Sequence, residues 1–448
     1  MKVTQYLTTE GLSFVTRPIF SSVPMSGARK VTRTEKVVSD DFLGFGVAIT
    51  GSSCYDLALM QPDERTKLLR DIYTKEGIGL SVARLSIGSS DYSAELYSYD
   101  DVEGDTALAH FSVERDEGYI IPMIKEILAV NPDLYLFASP WSPPGWMKTS
   151  GSLCGGYMRM EYVDCYADYI IRFIEEYEKR GIHISAITPQ NEPETQQHGQ
   201  MPACIWHPDI EAAFVKVLRR KLDARGMDTK IWMYDYNFDN WLRVRWSLDT
   251  HEGLLESCGG VAFHYYRGAI EQTRALQEAY PGLKLHFTEG GPRLYDNYAT
   301  DWCKWSIMMS KVLNQNYGSF TGWNLMLDET GGPNVGPFFC GGLVTRNSVS
   351  GELSYSGQYK AFRHIAKFME KGATVYETAL SENTSGMFAY PKSLPNPQIS
   401  ALRNPDGTLL YLIVNPSPEK SQIELSEGGK TWYVECLPNS VSTVVFEV

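Results

Sequence analysis

The sequence predicts an α/β protein, a (β/α)8 TIM barrel with an accessory β-sandwich built from both chain termini. Three observations carry this reading. Between residues 42 and 370, short apolar runs alternate with amphipathic helical stretches, and parallel strands need such crossovers. Both ends of the chain instead hold short runs of alternating apolar and polar residues, the pattern of antiparallel strands with one wet face. The length, 448 residues of which 43% are hydrophobic, exceeds one small domain and suffices for a barrel plus one module.

The chain begins with candidate strands KVTQYL and LSFVT, followed by SSVPMSGARKVTRTEK, which reads as a connector. The first four barrel candidates are FLGFGVAIT (42–50), LSVARLSIG (80–88), LYLFASPWS (134–142) and HISAITPQNE (183–192). KIWMYDYN (230–237), GVAFHYY (260–266), KLHFTEGG (284–291) and FTGWNLML (320–327) complete the eight. Before the fourth strand, Val163, Tyr166, Ala167, Ile170, Ile174 and Tyr177 recur at helical spacing and Gly181 follows a basic pair. After it, Ile210, Phe214, Val217 and Leu218 share a face and Gly226 stands where a C-cap belongs. The end of the chain adds QISALRN, LLYLIVN, SQIEL, KTWYVECL and STVVFEV, with Asp406–Gly407 as a turn between the first two. The expected division is 1–38 with 372–448 for the sandwich and 39–371 for the barrel.

Composition narrows the function. Lys and Arg total 41 against 54 Asp and Glu, a net charge of −13. Such a surface repels phosphate backbones and anionic lipid, so nucleic acid is not expected as a partner. The eight cysteines are scattered without CxxC pairs, which argues against a disulfide framework and for a reducing compartment. The N-terminus carries no apolar stretch of signal-peptide length. No run approaches the ~20 apolar residues that span a bilayer. A cytoplasmic protein without membrane insertion is expected. No HExxH, paired histidines or GxGxxG string occurs, so neither metal nor cofactor is expected.

Chemistry is concentrated at two strings, TPQNEP (188–193) and HFTEGG (286–291), each placing a glutamate at a predicted strand end. Hydrolysis of a glycosidic bond uses two carboxyls at a set separation, one as acid and base, the other as nucleophile. Barrel enzymes present such groups at the carboxyl ends of their strands. Glu192 and Glu289 lie three βα units apart, so a closed barrel sets them across one mouth. Asn191 is placed to bond a sugar 2-hydroxyl. Arg84 reads as the only charge inside an apolar strand; it either holds Glu289 ionised or forms a structural ion pair. Trp141 and Trp323 either floor a sugar site or pack in the core. His264 and Tyr266 end the sixth strand, His264 being either a core residue or part of the rim. The expected activity is that of a retaining β-glycosidase acting without a cofactor.

Taken together, GFGVAIT, ASPWSPPGWMKT, TPQNEP, FHYY, FTEGG, GWNLMLDETGGPN and FRHIAKFMEKGA resemble glycoside hydrolase family 30, in the branch that includes the glucosylceramidases. The resemblance runs through most of the chain. It implies Glu192 as acid/base and Glu289 as nucleophile, with Trp141, Asn191, Tyr266 and Trp323 at the substrate site. It implies a β-glycoside or oligosaccharide substrate, and a sphingolipid such as glucosylceramide is compatible with it. Two positions depart from that pattern. Gly51, Ser52 and Ser53 follow GFGVAIT where an aspartate gripping glucose is implied, and Phe338 stands where an asparagine is implied after GGPN. Losing a charge-assisted contact to a hydroxyl costs ~1.5–3 kcal/mol, so β-galactoside, β-fucoside and β-xyloside specificities stand beside β-glucoside. An endo-acting β-glucanase or xylanase is the alternative to exo action, for which the long loop 194–207 speaks. An inactive sugar-binding protein or effector is the reading from another class.

Overall fold

Eight parallel strands close into a barrel in the order in which the chain supplies them. They are β1 (Gly44–Ile49), β2 (Val82–Ile87), β3 (Tyr135–Pro140), β4 (Ala186–Ile187), β5 (Lys230–Asn237), β6 (Gly260–His264), β7 (Leu285–Glu289) and β8 (Tyr317–Gly322). Pairing of β8 with β1, Phe320 opposite Phe45, closes the cylinder. The computed structural model describes residues 2–20, 27–381 and 395–447.

Helices outside the barrel bury the faces that the periodicity marks. Helix Val163–Glu178 buries Val163, Tyr166, Ala167, Ile170, Ile174 and Tyr177. Helix Pro208–Ala224 opens on a proline, whose missing N–H costs nothing at that position, and buries Phe214, Val215, Leu218 and Leu222. Gly226 follows it at φ 66°, left-handed backbone that suits a residue without Cβ. Ile210 and Val217 lie at the edge of that face, half-buried.

Inside the barrel the side chains form two layers, because residues two apart on a strand point the same way. The lower layer is apolar: Val82, Phe137, Ala186, Trp232 and Ala262 form their own buried cluster. Trp232 also stacks on His286 at 3.7 Å between ring centroids. Two residues further along, Arg84, Ser139, Thr188, His264 and Thr288 form a buried polar layer. On β5 the step is three, from Trp232 to Asp235. A bulge between Tyr234 and Tyr236 shifts the register against β6, with Tyr234 and Asp235 at positive φ.

Both chain ends contribute to one nine-stranded, mostly antiparallel sheet. Its strands run in the order Lys430–Cys436, Ser421–Glu427, Arg29–Ser39, Thr374–Leu380, Gln398–Arg403, Leu409–Asn415, Ser440–Glu447, Lys2–Thr9 and Leu12–Pro18. The sheet curls over on itself: Ile423, Leu425, Trp432 and Val434 of one end pack with Tyr411, Ile413, Val444 and Phe446 of its middle. The other face lies on two barrel helices, Trp302–Asn314 and Gly357–Ile365. There the Trp302 indole donates to the Asn439 carbonyl, Ser310 bonds Ser400, and His364 bridges Thr8 and Thr443.

Several local expectations differ from the structure. Arg29–Ser39 is a strand, where a connector was expected; it pairs with Thr374–Leu380, and residues 21–26 lie outside the described residues. β4 covers only Ala186–Ile187. β8 begins at Tyr317 and ends at Gly322, while Met326–Asp328 joins a separate three-stranded sheet. The apolar run 320–327 hid this break, because Asn324 takes a left-handed turn at φ 57° inside it.

Candidate active site

The polar layer of the barrel is organised around one ion pair. Asp235 accepts hydrogen bonds from Arg84 (2.7 Å) and Ser139 (3.0 Å). Thr188 (2.8 Å), Thr288 (2.7 Å) and His264 Nε2 (3.0 Å) complete its five partners. Burial opposes the charge, yet Arg84, and then His264 and Thr288, hold this carboxyl well below the usual carboxylate range. Arg84 is fully buried and spends its donors on Ser139, Asn191 (2.8 Å), Asp235 and Glu289. Its guanidinium lies 4.7 Å from the Trp141 ring, and Trp141 stacks on Trp323 at 5.2 Å. Arg84 is therefore not the only charge inside an apolar strand. Asp235 is its partner, and the two expected roles of Arg84 coincide in one side chain.

Glu289 ends β7 and is 6% exposed. Arg84 donates to one of its oxygens and the Tyr266 hydroxyl to the other at 2.9 Å. Burial lifts its pKa above the ordinary value; the charges of His264 and Arg84 oppose this, and the nearby Glu192 adds to it. Glu192 lies five residues beyond β4, at φ 52°, with its N–H on the Asp235 carbonyl at 3.0 Å. The strand expected to carry it ends early, and the Thr188 and Asn191 N–H groups still bond β3 carbonyls and fix its approach. Gln197 donates to one Glu192 oxygen, and the other meets His264 Nδ1 at 3.3 Å. Burial lowers the pKa of His264, but Glu289 and the bonds to Asp235 and Glu192 outweigh it and raise it to about 9. The ring is cationic at neutral pH, and both nitrogens donate.

An oxygen of Glu192, an oxygen of Glu289 and a nitrogen of His264 all lie within 4.8 Å of one another. Three such groups have the spacing of metal ligands, and an ion there would have to displace the His264 proton. The cluster opens into a cavity of about 210 Å³ lined by Trp141, Asn191, Glu192, Tyr266, Glu289 and Trp323. The other expected residues, Arg84 and His264, lie directly beneath. A larger cleft of about 530 Å³ lined by Phe14, Met60 and Tyr359 holds no comparable cluster.

Sequence reading missed Asp235, Gln197, Tyr236 and Asp91, all at this site. Asp235 had a signal, a carboxylate inside an apolar strand, but strict alternation would place Tyr234 and Tyr236 on the inner face. Gln197 and Asp91 sit in connections after their strands, where periodicity says nothing, and Tyr236 lies near the end of β5. Gly51, Ser52 and Ser53 begin a helix capped by Thr50, and none of them lines the cavity. Phe338 does line it, 41% exposed at the mouth. Among the described residues no helix is long and apolar enough to cross a membrane.

Comparison with known proteins agrees with this architecture. The chain is 29% identical to an endo-1,6-β-D-glucanase of Neurospora crassa, over 90% of this chain and 84% of that protein. It is 26% identical to the lysosomal acid glucosylceramidase of Mus musculus, over 86% and 76%. The solved structure of the endo-β1,6-glucanase BT3312 superposes over 100% of both chains with a TM-score of 0.85 at 28% identity. Residues 42–369 match the glycosyl hydrolase family 30 TIM-barrel domain. The chain belongs to glycoside hydrolase family 30 and is an O-glycosyl hydrolase.

Proposed function

We propose that the protein is a retaining β-glycosidase, with Glu289 as nucleophile and Glu192 as acid and base, and that its substrate is a β-linked glucan, β-1,6-glucan first. The carrying observation is the approach of the two carboxylates, with an oxygen of each inside 4.8 Å. Inverting enzymes hold their carboxyls ~6.5–9.5 Å apart to admit a water, retaining ones ~5–5.5 Å.

In the first step a Glu289 oxygen attacks the anomeric carbon while Glu192 gives its proton to the glycosidic oxygen. The C–O bond breaks and a glycosyl ester forms. In the second step Glu192 takes a proton from water, whose oxygen attacks the same carbon and expels Glu289. Arg84 and Tyr266 hold Glu289 in line for the attack and stabilise it as the leaving carboxylate. The cationic His264, 3.9 Å from Glu289, adds to that stabilisation.

The substrate assignment is supported by the two glucanases it resembles and by the mouth of the cavity. Tyr295, Phe338 and Phe339 line it and are 69%, 41% and 65% exposed. Aromatic faces placed outside a pocket suit a further sugar of a chain, so a polymer is favoured over a lone terminal residue. The same aromatics suit the lipid of a glucosylceramide, the second reading. Products from linear β-1,6-glucan and from glucosylceramide, compared with aryl β-glucoside, galactoside, fucoside and xyloside, decide the sugar; product lengths separate endo from exo action. Near-normal turnover by Glu289→Ala, or a product of inverted configuration, would overturn the mechanism. Residues 1–38 and 372–448 are taken as an accessory module on barrel 39–371. The eight free cysteines are in keeping with a reducing, cytoplasmic setting.

A further inference from the structure

We propose that Gln197 is a positioning residue for the acid and base: by donating to one oxygen of Glu192 it leaves the other to carry the proton that moves in both steps. The inference rests on the glycosidase reading and deepens it. A carboxyl has two oxygens, and only one that faces the leaving group can serve it. His264 Nδ1 lies 3.3 Å from Glu192 Oε1 and 3.9 Å from Glu289, which puts Oε1 on the nucleophile's side of the cavity. Oε2 accepts from the Gln197 amide. A donor so placed favours a bare oxygen there, and the mobile proton falls to Oε1. Glu192 gives that proton to the glycosidic oxygen. In the second step a water proton returns to Oε1 as the water oxygen joins the anomeric carbon.

Gln197 is held in this place. Its backbone is left-handed at φ 47°, as is that of His198 at φ 54°, a conformation that residues with a Cβ adopt rarely and that clusters at functional sites. Its N–H bonds the Thr195 hydroxyl at 3.1 Å, and its carbonyl accepts from the Gln200 N–H at 3.1 Å. The loop is tied to the segment after β3 on both sides of the residue. The Gln196 side chain accepts from the Gly156 N–H at 3.4 Å, and the buried Lys148 ammonium donates to the Leu153 and Ala203 carbonyls. The charged groups that face Glu192 are His264, Glu289 and, along the cavity wall, Asp91, Arg267 and Arg293, with the Tyr236 hydroxyl beside them. Arg84 and Asp235 lie in the layer beneath. On its own loop Glu194 is engaged by Asn240 and Tyr234, and His198 is exposed. Among the described residues His264 is the other donor to this carboxyl, so removing the Gln197 N–H leaves Oε2 bare and the carboxyl plane free to turn.

The test uses Gln197→Met, which keeps the length and removes the N–H, and Gln197→Glu, which puts a second carboxyl beside the first. Thermal unfolding of each variant checks folding. With an alkyl β-glycoside, whose leaving group needs the acid, the alkaline limb of kcat/KM reports Glu192 in the free enzyme. In Gln197→Met it should move up by about 0.5 to 1 pH unit, because a donor that favoured the carboxylate is gone. Gln197→Glu should move it further, since two carboxyls in one site resist double ionisation. With an aryl β-glycoside of good leaving ability the second step, which needs the base, limits kcat. There Gln197→Met should lower kcat and KM together, each about 3- to 10-fold, as the misaligned base lets the glycosyl ester accumulate. Alkaline limbs at the wild-type pH in both variants, or kcat falling with KM unchanged, would overturn this inference alone and leave the glycosidase reading standing. No turnover of any glycoside by the wild type would overturn both.

Discussion

Replacing Asp235 with Asn keeps its shape and removes one buried charge. In the native site Oδ2 accepts from Arg84, Ser139 and Thr188, and Oδ1 from His264 and Thr288. An amide offers one acceptor oxygen, so its NH2 must confront one of the two donor sets. Ser139 and Thr188 already bond each other at 2.8 Å and can reorient their hydroxyls. Arg84 and His264 have no such freedom. Stripping a partner from a buried cation costs ~3–5 kcal/mol, but Arg84 keeps Glu289 and Asn191. A loss of about 3 kcal/mol is therefore expected, read from the denaturant midpoint at neutral pH. The substitution also removes one of the charges that raise the His264 pKa to about 9. The alkaline limb of kcat/KM should then move to lower pH, with kcat down about 100-fold as the carboxylates lose alignment. A stability change below about 1 kcal/mol, with the alkaline limb unmoved, would refute the claim that Asp235 anchors the site.

Three further outcomes follow from named contacts. Glu192→Ala should slow unactivated glycosides by ~10²–10⁴, the range for general acid catalysis, and aryl glycosides with good leaving groups far less in the first step; equal slowing of both would remove Glu192 from the acid role. His264 has a folded pKa of about 9, raised above its unfolded value near 6.5. Its contribution is fully present below about pH 6.5 and fades as pH rises through 9, by at most about 3 kcal/mol. Denaturation midpoints of His264→Phe should be flatter over that window, and an unchanged slope would count against the cation. Trp302→Ala removes a fully buried ring between barrel and terminal sheet and should cost ~3–5 kcal/mol; the proposed accessory module would then unfold before the barrel, detectable as two separated transitions.

Much of the fold was legible along the chain because periodicity is a local property. The spacing of Tyr166, Ile170 and Ile174 needs only a helix turn to place them on one face. The apolar, β-branched runs at 409–415 and 440–447 read as strands on their own residues, while their pairing, Leu412 opposite Thr443, belongs to the tertiary structure. The connector expected at 21–36 misled because its polar, basic composition gives no alternation; Arg29–Ser39 is a strand by virtue of neighbours supplied from residue 374 onward. Similarly β4, two residues long, is defined by its partners more than by its own propensity.

By itself the sequence determined the alternation of strands and helices, the β character of both ends and two glutamates near strand ends, since each is written in residues close to one another. Tertiary structure decided what faces the cavity. Asp235 turns inward only because a bulge adds a residue to β5, and Arg84, Asp235, His264 and Glu289 become one network only when strands about 200 residues apart take a common register. That register is set by closure of the barrel, a condition no short window of sequence contains.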